Sequence, residues 1–284
     1  MSIEIINLSK SYGKSPALED VKLEFSEHRI YGLLGRNGAG KSTLLKLVAN
    51  RIAATGGQVK IDGLDSVEND RAQSLVYLMN DENTIPSNIT VERLFKLTRS
   101  FYPGADIEKA ARLAERFSLD PKKRIGSLST GYKTAVKFIA AIMSNAKYTL
   151  LDEPVLGLEA AHRELLYKII IEEYADYDRC FVVATHIIEE ISGIVEHVTV
   201  IEKGKVIENY SVENLLKSGY SVSGNEKEVD EYIKDKNVIA TEKIGSVKIA
   251  YILGAHGSAE LGYLEVAPLS LQKLFIKLTG EDVK

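Results

Sequence analysis

The chain has one cysteine and no tryptophan among its 284 residues. A lone Cys180 forbids any internal disulfide, which excludes the disulfide-stapled scaffolds of small secreted domains. Its setting in the apolar run CFVVAT reads as a buried strand position rather than a reactive thiol. Long apolar runs are missing as well. None approaches the ~20 residues that span a bilayer, so any membrane contact is expected only through a partner chain. The N-terminus MSIEIINLSKSYG has no apolar signal core, and with the single cysteine this gives the expectation of a cytoplasmic protein. An excess of charge of one sign is also lacking. Lys and Arg total 36 against 40 Asp and Glu, a formal net charge of −4. Interspersed charges of both signs exclude a nucleic-acid or anionic-membrane partner held by bulk charge.

What is present is a globular balance, 45% hydrophobic and 27% charged, in a chain long enough for one large domain and an appendage. Strand and helix signals alternate. IEIINL, VKLEF and RIYGLL read as strands, and STLLKLVANRI as a helix with Leu44, Leu45, Val48 and Ile52 on one face. GGQVKIDG and LVYLM are further strands. Thr90 to about Ser118 is helical with a break at Pro103-Gly104, and Leu128–Met143 is helical again. The strand YTLLDEP, a helix from Ala160 to about Tyr174, the strand CFVVATH and a short helix follow. HVTVIEKGKVIEN reads as a hairpin turning at Lys203-Gly204-Lys205. This order predicts an α/β fold with a mainly parallel sheet.

A boundary is expected near Lys217–Tyr220, dividing 1–217 from a small α+β module over 218–284. The module reads as strand YSVSG, helix EKEVDEYIKD, strands VIATEKI, VKIAYIL and LGYLEV, and helix LSLQKLFIKLTG. It has no cluster of His, Cys or paired acids, and reads as a packing or dimer-contact domain.

The strongest chemical signal is GRNGAGKS, between a predicted strand and a predicted helix. Gly35, Gly38 and Gly40 let the backbone turn tightly and present its N–H groups to phosphates. Lys41 reaches the β- and γ-phosphates, and the Ser42 hydroxyl can ligate Mg²⁺. YTLLDEP places Asp152 at the carboxyl edge of the sheet, where it can hold the metal, with Glu153 next to it as the group that polarises an attacking water. His186, directly after CFVVAT, falls at the same edge and is assigned to the γ-phosphate. His28, His162, His197 and His256 have no such placement. A second phosphate-grasping helix start stands in GSLSTGYKTAVKFIAAIM, far downstream of the first.

These residues together carry a resemblance to the nucleotide-binding subunit of ATP-binding cassette (ABC) transporters, over residues 1 to about 217. GRNGAGKS matches the Walker A motif, YTLLDEP the Walker B motif with its following glutamate, and ATH the switch-histidine loop. LSTGYK looks like the family signature LSGGQ. The resemblance implies a P-loop NTPase cassette: a mainly parallel core, N-terminal antiparallel strands and a helical subdomain over about 80–145. It implies ATP and Mg²⁺ as cofactors. It adds Asn37, Ala39 and Thr43 to the nucleotide-binding loop, and makes Tyr12 the aromatic that stacks on adenine. Asn80, in YLMNDE, stands where the family has a metal-facing glutamine. In such cassettes two subunits pack head to tail, so Ser129 and the Gly131 amide would hold the partner's ATP.

The resemblance also implies partners. They are a second nucleotide-binding subunit, identical or different, and separate transmembrane permease chains. The chain would then sit peripherally at the inner face of the cell membrane, energising an exporter of drug or peptide type. The alternative is a soluble cassette ATPase acting on ribosomes or DNA, disfavoured by a single cassette and the lack of sustained heptads. A small-molecule kinase would lack the signature, and a GTPase would need an Asn-Lys-x-Asp motif that is missing. Three positions depart from the family pattern: Thr130 and Tyr132 in the signature, and Glu159 in the loop after Walker B. Each adds bulk at the expected seam between subunits.

Overall fold

The computed structural model describes residues 1–82, 84–217, 219–254 and 264–269. The first elements in chain order are β1 (Ser2–Tyr12), β2 (Ser15–Ser26), β3 (Arg29–Leu34), α1 (Lys41–Val48), β4 (Gly56–Ile61), β5 (Leu64–Asp65), α2 (Asp70–Gln73) and β6 (Val76–Met79). Next come α3 (Val91–Phe101), α4 (Ile107–Arg116), α5 (Thr130–Met143), β7 (Tyr148–Asp152), α6 (Ala160–Asp176), β8 (Cys180–Thr185) and α7 (Ile188–Ile191). The remainder are β9 (His197–Glu202), β10 (Lys205–Ser211), α8 (Val212–Lys217), β11 (Gly219–Asn225), α9 (Glu226–Tyr232), β12 (Asn237–Ile244), β13 (Val247–Leu253) and β14 (Glu265–Pro268). They fall into two compact units, Met1–Ile187 with Ile194–Asn209, and Ile188–Gly193 with Tyr210–Lys284.

The first unit is built on two sheets. One has the order β2-β1-β4-β5 and pairs antiparallel throughout. The other has the order β10-β9-β3-β8-β7-β6, with β9, β3, β8, β7 and β6 parallel. β7 and β8 are buried at every position, so both faces are covered, and their sequences YTLLD and CFVVAT are accordingly continuous apolar runs rather than alternating ones. One core joins the sheets. Ile3, Phe25, Leu44, Leu45, Val48, Leu150 and Val182 all belong to it, so α1 shares its apolar residues with strands of both sheets.

Three helices follow β6, each opened by a side-chain cap. Thr90 accepts from the Arg93 amide at 3.2 Å, Asp106 from Lys109 at 2.8 Å, and Ser129 from Tyr132 at 3.3 Å. The expected break at Pro103-Gly104 separates α3 from α4. A buried ionic knot ties this layer to the sheet. Arg179, 3% exposed, donates to the Ile142 and Ala146 carbonyls at 3.0 and 3.1 Å, to Thr149 Oγ1 at 2.8 Å and to Glu173 at 2.7 Å. Lys109 meets the same Glu173 carboxylate at 2.9 Å.

The second unit pairs its strands antiparallel in the order β12-β13-β11-β14, with α9 opened by an Asn225 cap. Its core gathers Tyr220, Val222 and Ile252 with Tyr232, Val238 and Val266. The sequence predicts an α+β module over 218–284, whereas the compact unit also takes in Ile188–Gly193 and otherwise begins at Tyr210. The strand read at LGYLEV is described as Glu265–Pro268. The helix read from LSLQKLFIKLTG lies outside the described residues, as does His256. No described helix is long and apolar enough to cross a membrane.

Candidate active site

β3 carries the chain through the core to its carboxyl end at Leu34, and the next six residues form the loop that opens α1. Gly40 is the residue on which the turn depends. Its φ is +114°, and a Cβ there would meet Leu18 Cδ2 at 2.7 Å and the Ala17 carbonyl at 2.9 Å. The first turn of α1 holds no acidic side chain, so its unpaired N–H groups present an uncontested positive end. They face a cavity of about 240 Å³. Asn37, Gly38, Gly40, Lys41, Ser42 and Thr43 line it, together with Asp152 and Glu153 from the end of β7. Gly35 and Ala39 do not line it. Gly35 accepts from Lys41 Nζ at 2.6 Å, and Ala39 exchanges backbone bonds with Arg36 and Gly204.

Lys41 is the central cation, with its side chain 5% exposed. Burial lowers its pKa, against the opposing pull of Glu153 and Asp152. Its ammonium lies 3.6 Å from Glu153 Oε1. The same Oε1 is 2.9 Å from His186 Nδ1, and Thr185 donates to Oε2 at 3.2 Å. Lys41, Glu153 and His186 are thus one connected group at the edge of β7 and β8. Glu153 sits there in a left-handed backbone (φ 47°), an arrangement that costs about 1–3 kcal/mol and is typical of functional turns.

Asp152 is 4% exposed, hydrogen-bonds Ser42, and has one oxygen, Oδ1, fully buried without a partner. Burial raises its pKa, and the neighbouring carboxylates add to the shift. An orphaned buried carboxylate oxygen is costly unless a cation comes to it. The hard oxygens of Ser42 and Asp152 suit Mg²⁺, which is usually held by one or two protein oxygens plus substrate phosphates. No three acidic or imidazole groups form a ready cage among the described residues, so the cation would be shared with the phosphates.

The other expected residues lie apart from this cavity. Tyr12, at the end of β1, is 52% exposed with the Lys10 ammonium 5.0 Å from its ring centroid. Ser129 and Gly131 are at the start of α5 and do not line the cavity. A Cβ on Gly131 would come within 2.5 Å of the Gly157 carbonyl, and Thr134 donates to the Leu156 carbonyl at 2.8 Å. The helix start is therefore seated on the loop that follows Glu153. Asn80 is not brought to the cavity. Its amide donates to Glu82 at 3.2 Å, and the residue lines a separate groove of about 920 Å³. Asp81, one position on, lines the phosphate cavity instead, as do Arg36 and Ala17. Sequence reasoning missed these three. The run Asn80-Asp81-Glu82 held the signal for Asp81, because a carboxylate adjoined the position matched to the glutamine.

The family described as ABC transporter matches residues 18–156. The chain is 26% identical to the ABC transporter ATP-binding protein YtrB of Bacillus subtilis (strain 168), over 86% of this chain and 84% of that one. It is 24% identical to the bacitracin transport ATP-binding protein BcrA of Bacillus licheniformis, over 98% and 97%. It is 28% identical to the ribose import ATP-binding protein RbsA of Lactococcus lactis subsp. cremoris (strain SK11), covering all of this chain but 64% of that longer one. Among solved structures, the ATP-binding subunit of an ABC transporter superposes with a TM-score of 0.69 at 22% identity, over 76% of this chain and 92% of the other. A phosphate loop facing the Asp152–Glu153 strand end, on this fold and with these relatives, places the chain among the ATP-hydrolysing, nucleotide-binding cassettes of the ABC transporter family.

Proposed function

We propose that this chain is one of two ATPase subunits that energise a transporter whose membrane-spanning parts are separate chains. One observation carries the reading: the molecule has two phosphate-directed helix starts that do not share a cavity. The α1 start faces Lys41, Asp152 and Glu153, while the α5 start, with Ser129 and Gly131, lies apart and outward. A head-to-tail pair resolves this, each α5 start closing on the γ-phosphate held by the other chain's loop. Nucleotide then favours the closed pair through its higher affinity for that state, and hydrolysis releases it.

Within each site Tyr12 stacks on the base, the loop amides of residues 35–43 hold the phosphates, and Lys41 exchanges the Gly35 carbonyl for phosphate oxygens. Ser42 and Asp152 would hold Mg²⁺, which supplies charge neutralisation on the phosphates when bound. Glu153 accepts the proton of the water that attacks the γ-phosphorus, as the bond from that phosphorus to the β-bridging oxygen breaks and ADP leaves. His186, bonded to the same carboxylate, holds Glu153 in place and reaches the γ-phosphate.

The groove lined by Asn80, Ile85, Leu94, Leu97 and Phe101 supports docking of a helix from a transmembrane chain, because it is open and mixed apolar and polar. Phe101 is 76% exposed there. Export is the direction we favour, since BcrA, named for bacitracin transport, matches this chain nearly end to end. The chain would then work in the cytoplasm, peripheral at the inner membrane face. The test is purification from native membranes with mass spectrometry of the associated chains. Recovery of polytopic membrane chains supports the reading; recovery with ribosomes would overturn it in favour of a soluble cassette.

A further inference from the structure

We propose that Asp81 is a second cation-facing carboxylate of the nucleotide cavity, which makes nucleotide binding more dependent on the accompanying divalent metal than Asp152 alone would. The inference rests on the nucleotide-site reading above and adds to it a residue and a binding property.

Asp81 lines the cavity that holds Lys41, Ser42, Asp152 and Glu153. Its two neighbours in sequence are both fastened. Lys137, on α5, donates to the Asn80 carbonyl at 3.0 Å and to the Glu82 carbonyl at 2.9 Å. The Glu82 carboxylate in turn meets Lys46, on α1, at 2.6 Å, and accepts from the Asn80 amide at 3.2 Å. A segment pinned on both sides, to the phosphate-loop helix and to α5, presents the residue between the pins to the cavity without further ordering. This is preorganisation, and it explains why position 81 rather than position 80 is at the site.

Independent of this acidic residue, the cavity shows a demand for a cation. Asp152 Oδ1 is buried in its wall with no partner, on a side chain 4% exposed. Electrostatics agree, since Asp81 lies close enough to Asp152 to disfavour its ionisation. Three carboxylates, those of Asp81, Asp152 and Glu153, then face a ligand that is itself a polyanion. Asp81 is exposed, so its repulsion of the polyanion is screened by solvent but still acts at close range, and a divalent cation reverses its sign. Asp81 therefore opposes nucleotide that arrives without metal and favours nucleotide that arrives with it. A neutral amide in its place would do neither.

The test uses the full-length chain and two binding readouts. A fluorescent ATP analogue is titrated in EDTA, and Mn²⁺ bound in its presence is followed by electron paramagnetic resonance. For Asp81→Asn the half-saturating Mn²⁺ concentration should rise about threefold to tenfold, while the metal-free nucleotide Kd falls about twofold to fivefold. Asp81→Glu should stay near the unaltered protein in both. The opposite signs of the two shifts separate the proposal from a loosened structure, which would weaken both. Asp152→Asn is the control. If it raises the Mn²⁺ requirement while Asp81→Asn changes neither readout, the Asp81 inference is overturned and the nucleotide-site reading stands. If Asp152→Asn leaves the Mn²⁺ requirement unaltered, the underlying reading falls as well.

Discussion

Glu153 is held at one point by three partners of different kinds: the Lys41 ammonium, the His186 imidazole and the Thr185 hydroxyl. Two of these three, Lys41 and His186, were legible in the sequence because strand ends in a parallel sheet bring distant residues to one edge, and each followed or preceded an apolar run. Asp81 was not. Which of Asn80, Asp81 and Glu82 faces the phosphates depends on the Lys46 and Lys137 contacts, and those come from two helices remote in sequence. Motif matching orders residues along a chain but cannot orient a loop held from outside. Tyr12 is proposed to bear on the base rather than the phosphates. Exposed, and with Lys10 near its ring, it is suited to stacking, which is worth about 1–3 kcal/mol per base. Tyr12→Ala should raise the Kd for ATP and for GTP alike, by about 5- to 150-fold, while Tyr12→Phe leaves both nearly unchanged. Competition binding with both nucleotides checks this, and a Phe variant as weak as the Ala variant would assign the binding to the hydroxyl.

At the scale of elements, the long periodic segments were readable and several of the short ones were not. β1 and β2 run further than IEIINL and VKLEF, because pairing between them extends the ladder to the turn after Tyr12. α2, β5 and α8 went unread, being two to six residues long and too brief for a periodicity. The ionic knot around Glu173 was equally hidden, since nothing in sequence pairs Lys109 on α4 with Arg179 before β8. Burial pulls the Arg179 pKa down and Glu173 pulls it back. Removing the carboxylate strands two buried cations, so Glu173→Ala should cost about 3–5 kcal/mol in denaturant unfolding. Replacing Lys109, Glu173 and Arg179 together by apolar residues should cost far less. A loss under about 1 kcal/mol for Glu173→Ala would show that the cations find other partners.

Asp62, after β4, and Lys147-Tyr148, at the start of β7, form a second tie, with bonds of 2.8 and 2.6 Å. Partial burial works against ionisation of Asp62, but Lys147 and Tyr148 outweigh it and hold the carboxyl below its ordinary value. A folded pKa below the unfolded one contributes stability that is present above the ordinary aspartate value and lost as pH falls through the folded value. Asp62→Asn should therefore lower the unfolding midpoint near neutral pH. It should also flatten the loss of stability in acid, so that the two proteins converge there. Parallel curves down to the acid limit would remove Asp62 from this account.

For the whole molecule, the decisive feature of the proposed function is that its site is divided. One half, the loop of residues 35–43 with Asp152, Glu153 and His186, is assembled within a single chain. The other, proposed for Ser129 with Gly131, does not line that cavity and is seated on the loop that follows Glu153. That seating connects the two halves mechanically, since the loop after Glu153 bears on the helix start that would grip the partner's nucleotide. Thr130 is part of the contact: a Cβ on Gly157 would come within 2.9 Å of its methyl, so the β-branched residue fits only because position 157 is glycine. The departure from the family signature at Thr130 is thus accommodated inside the chain.

The most direct test of the central claim, a nucleotide cavity whose chemistry rests on Glu153, is the fate of bound ATP in Glu153→Gln. The purified variant is mixed with ATP and Mg²⁺, and retained ATP and released ADP are measured over time. The account predicts that the chain keeps its ATP, with turnover about 10²–10⁴-fold below that of the unaltered protein. Near-normal turnover would contradict it.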